Sequence, residues 1–279
     1  MKKILILLLT VFLLFACDFD TSKVERIPVS GEIILEQEYL DNFKEIIIAG
    51  PFDVVLEQDG GHGLQVETYE SLMQWVEVEV IDDCLILYLL DTTETNKFNV
   101  SFDDPSLNRI TRYAILSGSR LKWPENDKYL NVVISFKNLE KIQIIGESSI
   151  KTVETLNAED FKLEVAGACH LDADLNVTVF DADIAGAGNL DLRGRARYFK
   201  VSCAGAGTIK AYDFVADSVD LEIAGVCNAQ VYAVESIEAE VAGMGTIKYM
   251  GNPSNISYEK AGIGSLKQVE SEETEETEI

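Results

Sequence analysis

Residues 180–210 read FDADIAGAGNLDLRGRARYFKVSCAGAGTIK, and the two Ala-Gly corners in this stretch decide the fold. Each corner, Ala185-Gly186 and Ala204-Gly205, follows a phenylalanine by the same interval and opens into an apolar-polar alternation. Outward from them the pair recurs as Ala166-Gly167, Ala224-Gly225, Ala242-Gly243 and Ala261-Gly262. The glycines are separated by steps of 19, 19, 20, 18 and 19 residues, and Ile145-Gly146 lies 21 residues before the first of them. A fixed period near twenty is the mark of one supersecondary unit repeated and stacked.

Counting from each glycine gives the periodicity inside the unit. Two residues before it stand Val165, Ile184, Cys203, Ile223, Val241 and Lys260. Four before stand Leu163, Ala182, Val201, Leu221, Ala239 and Tyr258. Six before stand Phe161, Phe180, Phe199, Val219, Ile237 and Ile256, and four after stand Leu171, Leu190, Ile209, Ala229, Ile247 and Leu266. The odd positions between them are mostly charged or polar. Strict alternation is the signature of strand with one buried face. Each repeat therefore supplies two short strands with a corner at Ala-Gly, where glycine permits the tight bend. A polar column follows the corner: His170, Asn189, Thr208, Asn228, Thr246 and Ser265. The equal pattern in every repeat disfavours hairpins. It predicts an all-β chain whose regular coils, over 139–268, form a right-handed parallel β-helix, a solenoid of about 19 residues per turn.

The first half is β-rich but irregular. FKEIIIAGPFDVVL, residues 43–56, carries Ala49-Gly50 in the same frame. Further strands are expected at 64–68, 76–81, 84–90, 113–116 and 132–136, with Asp82-Asp83 as a hairpin turn. Residues 31–138 read as an irregular cap or a wider start of the coil.

The N-terminus reads as an export signal over 1–16. Lys2 and Lys3 precede an apolar run from Ile4 to Phe15, too short for the ~20 residues of a membrane-spanning helix. It ends in Leu14-Phe15-Ala16-Cys17, which resembles the bacterial lipobox. Cys17 is expected to carry the acyl chains that hold the mature protein to membrane lipid. Residues 17–30 would be a tether, and 269–279 a disordered acidic tail.

The formal net charge is −25, and removing 1–16 takes away two lysines and no acid. So acidic a surface repels nucleic acid, and no basic stripe or phosphate-cradling loop offsets it. It suits glycans, cations or another envelope protein. Beyond Cys17 there are Cys84, Cys169, Cys203 and Cys227, read as small buried fillers. Cys169 and Cys227 share a repeat position three turns apart, ~14 Å at ~4.8 Å per strand, beyond the ~7 Å reach of a disulfide.

The lipobox, FKEIIIAGPFDVVLEQ, the corners of form AGxG[NT][IL] and the closing GNPSNISYEKAGIGSLKQV together resemble the auto-transporter adhesin "head GIN domain" family over about residues 31–268. Cys169 and Cys227 replace the second glycine of the corner in two turns. The resemblance implies a β-helix-like solenoid on exported or lipid-anchored proteins of Gram-negative bacteria. It implies no catalytic residues and no cofactor.

Several side chains are candidates for chemistry. Asp172, Asp174, Asp181, Asp183 and Asp191 lie on neighbouring turns, and Asp172, Asp174 and Asp191 are weak candidates for Ca²⁺. With Arg193, Arg195 and Arg197 nearby they leave open a polysaccharide lyase on the same scaffold. His62 and His170 lack a second ligand at metal spacing. Tyr212 and Tyr232, in matching places on adjacent turns, would either form a flat strip for sugar rings or pack inward; Tyr249 lies one place off. Trp75 and Trp123 read as core or cap residues. The expected function is a non-enzymatic adhesion or binding surface on the cell envelope, in the outer membrane, with the lyase and a periplasmic scaffold or signalling module as alternatives.

Overall fold

The computed structural model describes residues 27–89, 121–122 and 129–270. The export signal, Cys17, most of the tether, the expected strand at 113–116, Trp123 and residues 271–279 lie outside the described residues.

The chain is all-β. Its elements are β1 (Ile27–Pro28), β2 (Ile33–Tyr39), β3 (Glu45–Ala49), β4 (Asp53–Glu57), β5 (Gly63–Tyr69), a single helical turn α1 (Glu70–Met73), β6 (Val76–Ile81), β7 (Cys84–Leu89), β8 (Leu121–Lys122), β9 (Leu130–Ser135), β10 (Lys141–Thr152), β11 (Leu156–Met250), β12 (Asn255–Lys260) and β13 (Ile263–Gln268). They fall into two compact units. One holds the described residues up to Glu154 together with Leu163–His170, the other Thr155–Lys162 and the described residues from Leu171 onward.

In the first unit the Ala-Gly frame extends back to residue 45. β10 pairs in parallel with β3, Ile145 opposite Ala49, and beyond the corner with β4, Ser149 opposite Asp53. The corner is fixed by backbone and side chain. The Gly50 amide donates to the Ile145 carbonyl at 3.2 Å, and buried Ser148 donates its hydroxyl to the Gly50 carbonyl at 2.8 Å. The described residues between 58 and 140 depart from the repeat. β5 runs antiparallel to both β2 and β9, and β6 runs antiparallel to β7. Asp82 and Asp83 make the two-residue turn of that last hairpin with φ of 50° and 62°. A two-residue turn with both φ values positive matches the right-handed twist of the strands it joins. β7 and β9 then lie parallel to β3 and β4, on the side away from β10. β1, pairing with β8, and buried Val29 extend ordered structure into residues assigned above to the tether.

β2 and α1 carry no periodic signal. Every residue of β2 except half-buried Ile34 is exposed, so the strand presents no buried face for alternation to record. α1 is four residues long and has no side-chain cap on its first turn.

The second unit is dominated by β11. Extended at ~3.3 Å per residue, positions 19 apart would be ~60 Å from each other. Instead the rings of Phe161 and Phe180, and of Phe180 and Phe199, stack with centroids 5.8 Å apart. Phe214 stands edge-on to the pair, 6.1 Å from Phe180 and 5.2 Å from Phe199. The ribbon therefore turns back over itself once per repeat. The turning points are the predicted glycines: Gly186, Gly205, Gly225 and Gly243 have φ of 137°, 151°, 148° and 148°. They are also stacked, because a Cβ on Gly205 would overlap the Gly186 carbonyl, and one on Gly225 or Gly243 the carbonyl of the glycine a repeat earlier. Register continues into the last repeat, where β12 and β13 pair in parallel with β11, Ile237 opposite Ile256 and Met244 opposite Ile263.

The core follows the alternation. Phe180, Ala182, Ile184 and Leu190 are each at most 1% exposed, as are Phe199, Val201 and Ile209. The final repeat breaks the rule: Ile256, in the phenylalanine column, is 53% exposed. β12 and β13 have β11 as their strand partner and no further strand beyond them among the described residues.

Candidate functional site

Three groups of side chains on the second unit bear on function. The first is the acidic cluster. Asp172 and Asp191 stand in the same outward column, and Arg193 joins them, its Nη2 on Asp172 Oδ1 and its Nη1 3.4 Å from Asp191 Oδ1. The Asp172 carboxylate, by accepting this bond, raises the guanidinium above its already high ordinary value. Lys210 Nζ lies 3.7 Å from the other oxygen of Asp191. Two of the three calcium candidates thus face cations of the chain itself. Similar pairs run elsewhere along the ribbon: Lys162 with Asp183 at 3.1 Å, and Lys200 with Asp220 at 3.4 Å. Being half-exposed, such pairs are each worth ~0–1 kcal/mol. They place opposite charges side by side on neighbouring repeats, although like charges also stack, Glu240 opposite Glu259 and Lys248 opposite Lys267.

The second group is the aromatic one. Tyr212 follows fully buried Ala211, and Tyr232 sits between the fully buried Val231 and Ala233. Alternation points both rings away from the core, and both are half-buried. Burial raises the Tyr212 phenol above its ordinary value. Tyr232 is covered by the break after β11, since a Cβ on Gly251 would stand 3.1 Å from its ring. Tyr249 is 6% exposed and belongs to the core. In the first unit His62 packs edge-on against Phe43, its ring centroid 6.0 Å away, Trp75 closes the turn α1, and His170 is exposed.

The third group is absent from the expectations above. One residue past each corner glycine come Ala168, Ala187, Ala206, Val226, Met244 and Ile263. In the last three repeats these are large, apolar and out in solvent: Val226 is 47% exposed, Met244 52% and Ile263 79%. Met244 and Ile263 are direct strand partners, and the stacked Gly225 and Gly243 bring Val226 alongside Met244. The signal was in the sequence as an apolar column on a face that alternation assigns to solvent.

The four described cysteines are buried and none is in a disulfide. Burial pushes the Cys169 thiol up to about 12. Cys203 and Cys227 lie in hydrogen-bonding contact. The shared hydrogen bond and burial raise the Cys227 thiol, while the same bond lowers Cys203 against the effect of burial.

Glycine-cornered repeats, an exposed apolar column and opposite charges paired between repeats define an all-β repeat protein. The chain belongs to the family described as "Putative auto-transporter adhesin, head GIN domain", whose profile matches residues 42–253. Among solved structures it is similar to a putative adhesin from Bacteroides fragilis, at 23% identity and a TM-score of 0.69, covering 87% of this chain and 100% of that one. It is similar to a putative lipid binding protein from Parabacteroides distasonis, at 20% identity and a TM-score of 0.63, over 88% of this chain and 100% of that one. A putative adhesin from Parabacteroides merdae matches at 16% identity and a TM-score of 0.55, over 88% of this chain and 99% of the other. No curated protein matches the chain. At these identities the likeness speaks for the fold.

Proposed function

We propose that this chain is a lipid-anchored protein of the cell envelope, acylated on Cys17, which binds a partner through its surface without catalysis. The observation that carries the reading is the exposed column Val226, Met244 and Ile263 on a chain of net charge −25. Large apolar side chains grouped in solvent are uncommon unless they meet something. The adhesin family and the adhesin and lipid-binding relatives agree with a binding role. The partner is a protein or glycan of the envelope, and the outer membrane is the expected site of the anchor.

The scaffold under this surface is a right-handed parallel β-helix of about 19-residue coils in the second unit. The stacked phenylalanines, the stacked glycines and the parallel register of β12 and β13 support it. Cysteines placed at Ala187 and Ala206, exposed and one repeat apart, should cross-link spontaneously on oxidation. Failure of that pair, with a bond instead between sites half a repeat apart, would overturn the coil.

The binding reading is tested with Val226→Ser/Met244→Ser/Ile263→Ser in the soluble domain. Capture of envelope proteins and binding to a glycan array should fall at least tenfold while the thermal midpoint holds within a few degrees. Unchanged binding by the triple variant removes the column from the reading. Unsaturated sugar products in a lyase assay with Ca²⁺ would replace it with an enzyme.

A further inference from the structure

Within the second unit one corner differs from its neighbours. At the corners of Gly186 and Gly243 the residue two before the glycine, an aliphatic one, reaches across the corner to the glycine two after it. Ile184 Cδ1 comes within 2.7 Å of where a Cβ on Gly188 would be, and Val241 Cγ1 within 3.6 Å of the same point at Gly245. At the corner of Gly205 that reaching residue is Cys203, and its Sγ lies 3.4 Å from the Cβ point of Gly207. The Sγ of Cys227, which occupies the next repeat's equivalent of Gly207, lies 3.6 Å from that same point. The missing side chain of Gly207 thus leaves a space into which two thiols from successive repeats are aimed. They meet there as hydrogen-bond partners, at 3% and 1% exposure. Cys84 and Cys169 belong to the other compact unit, and Cys84 turns its thiol toward the Leu85 carbonyl at 3.8 Å.

We propose that Cys203 and Cys227 are joined by a disulfide that staples two successive repeats when the chain folds in an oxidising compartment. The compartment rests on the export reading above; the pairing rests on the corner alone. The oxidant is a disulfide of the glutathione class or a disulfide-exchange protein. The Cys203 thiolate attacks one sulfur of that disulfide and expels the first thiolate. The Cys227 thiolate then attacks Cys203 Sγ, forms the Cys203–Cys227 bond and expels the second. The sum is one external disulfide reduced to two thiols, with both cysteine protons passed to the expelled sulfurs. Because both thiols are buried in the folded chain, exchange precedes the packing of the second repeat on the first. Such a cross-link stabilises mainly by restricting the unfolded chain.

The test uses the full chain carrying Cys17→Ser, unfolded, refolded with reduced and oxidised glutathione, then denatured and labelled with N-ethylmaleimide. The expected result is two labels per chain and a cross-linked tryptic pair containing Cys203 and Cys227. Cys203→Val, which places at this corner the residue found at Val165 and Val241, should take three labels. Reduction should lower the thermal midpoint of the parent by about 5–10 °C and leave that of Cys203→Val unmoved. Four labels on the parent, or a bridge to Cys84 or Cys169, would overturn the pairing. Labelling the natural chain taken directly from cell envelopes separates the two parts. Free Cys203 and Cys227 there, beside a bridge in glutathione, would overturn the oxidising compartment and with it the export reading, while the chemistry of the pair stands.

Discussion

Gly205 shows what one position contributes to the repeat. Its φ of 151° is rarely adopted by residues with a Cβ, and a Cβ there would strike the Gly186 backbone. Gly205→Ala should therefore cost about 3 kcal/mol or more, summing backbone strain and a contact that only backbone movement relieves. The measurement is chemical unfolding of the soluble domain; a loss under ~0.5 kcal/mol would contradict the geometry. Cys169 supplies a prediction of the opposite kind. Its thiol titrates near 12 when folded and near 8.5 when unfolded. A raised folded value means the contribution to stability is complete below about pH 8.5 and is lost as the pH climbs toward 12. Stability should thus decline across that window, and Cys169→Gly, the residue of most other corners, should flatten the decline. Native Cys169 should also resist alkylation at pH 8.

Among the elements, the ladder of Phe161, Phe180 and Phe199 is the strongest point of the second unit. Phe180 has neighbours on three sides: two stacked rings and the edge-on Phe214. Phe180→Ala should cost ~3–5 kcal/mol, the range for truncating a fully buried ring. Ile237→Ala, in the same column where rings have given way to aliphatics, should cost ~2–5 kcal/mol. Denaturant midpoints of the two variants check the order. This column was legible in the sequence because burial on one face writes itself into every second residue. The corners were legible because only glycine tolerates their φ. Other elements were silent for equally physical reasons. β2 lies at a sheet edge with both faces wet, and α1 is too short to show a period. The placement of β7 and β9 beside β3 and β4 joins residues some 40 to 80 positions apart, and no local pattern encodes that. Of the candidate site, the acidic column was visible as a list of aspartates. Its neutralisation by Arg193 and Lys210 depends on which turn lies over which. The Cys203–Cys227 contact escaped because it crosses a corner and a repeat at once, 24 residues apart, whereas the comparison of like positions pairs Cys227 with Cys169.

For the whole molecule the decisive quantities are charge and attachment. At −25 the chain repels anionic surfaces, so the proposed attachment to a membrane rests on the acyl chains of Cys17 and not on the protein face. Cys17→Ser should move the protein from the membrane pellet to the soluble fraction after cell lysis, with folding of residues 31–268 unchanged. Persistence in the pellet after a high-salt wash would place the attachment elsewhere. Protease added to intact cells then reports which side of the envelope the domain faces. The last repeat holds a further consequence. β12 and β13 have strand contact on one flank, and Ile256 sits where earlier repeats bury phenylalanine. Like the loose end of a zip, this turn is where the ribbon would come undone. Amide protons should exchange fastest there and progressively more slowly toward Phe180, and any ligand that seats on Ile263 would act as the slider that keeps the row shut.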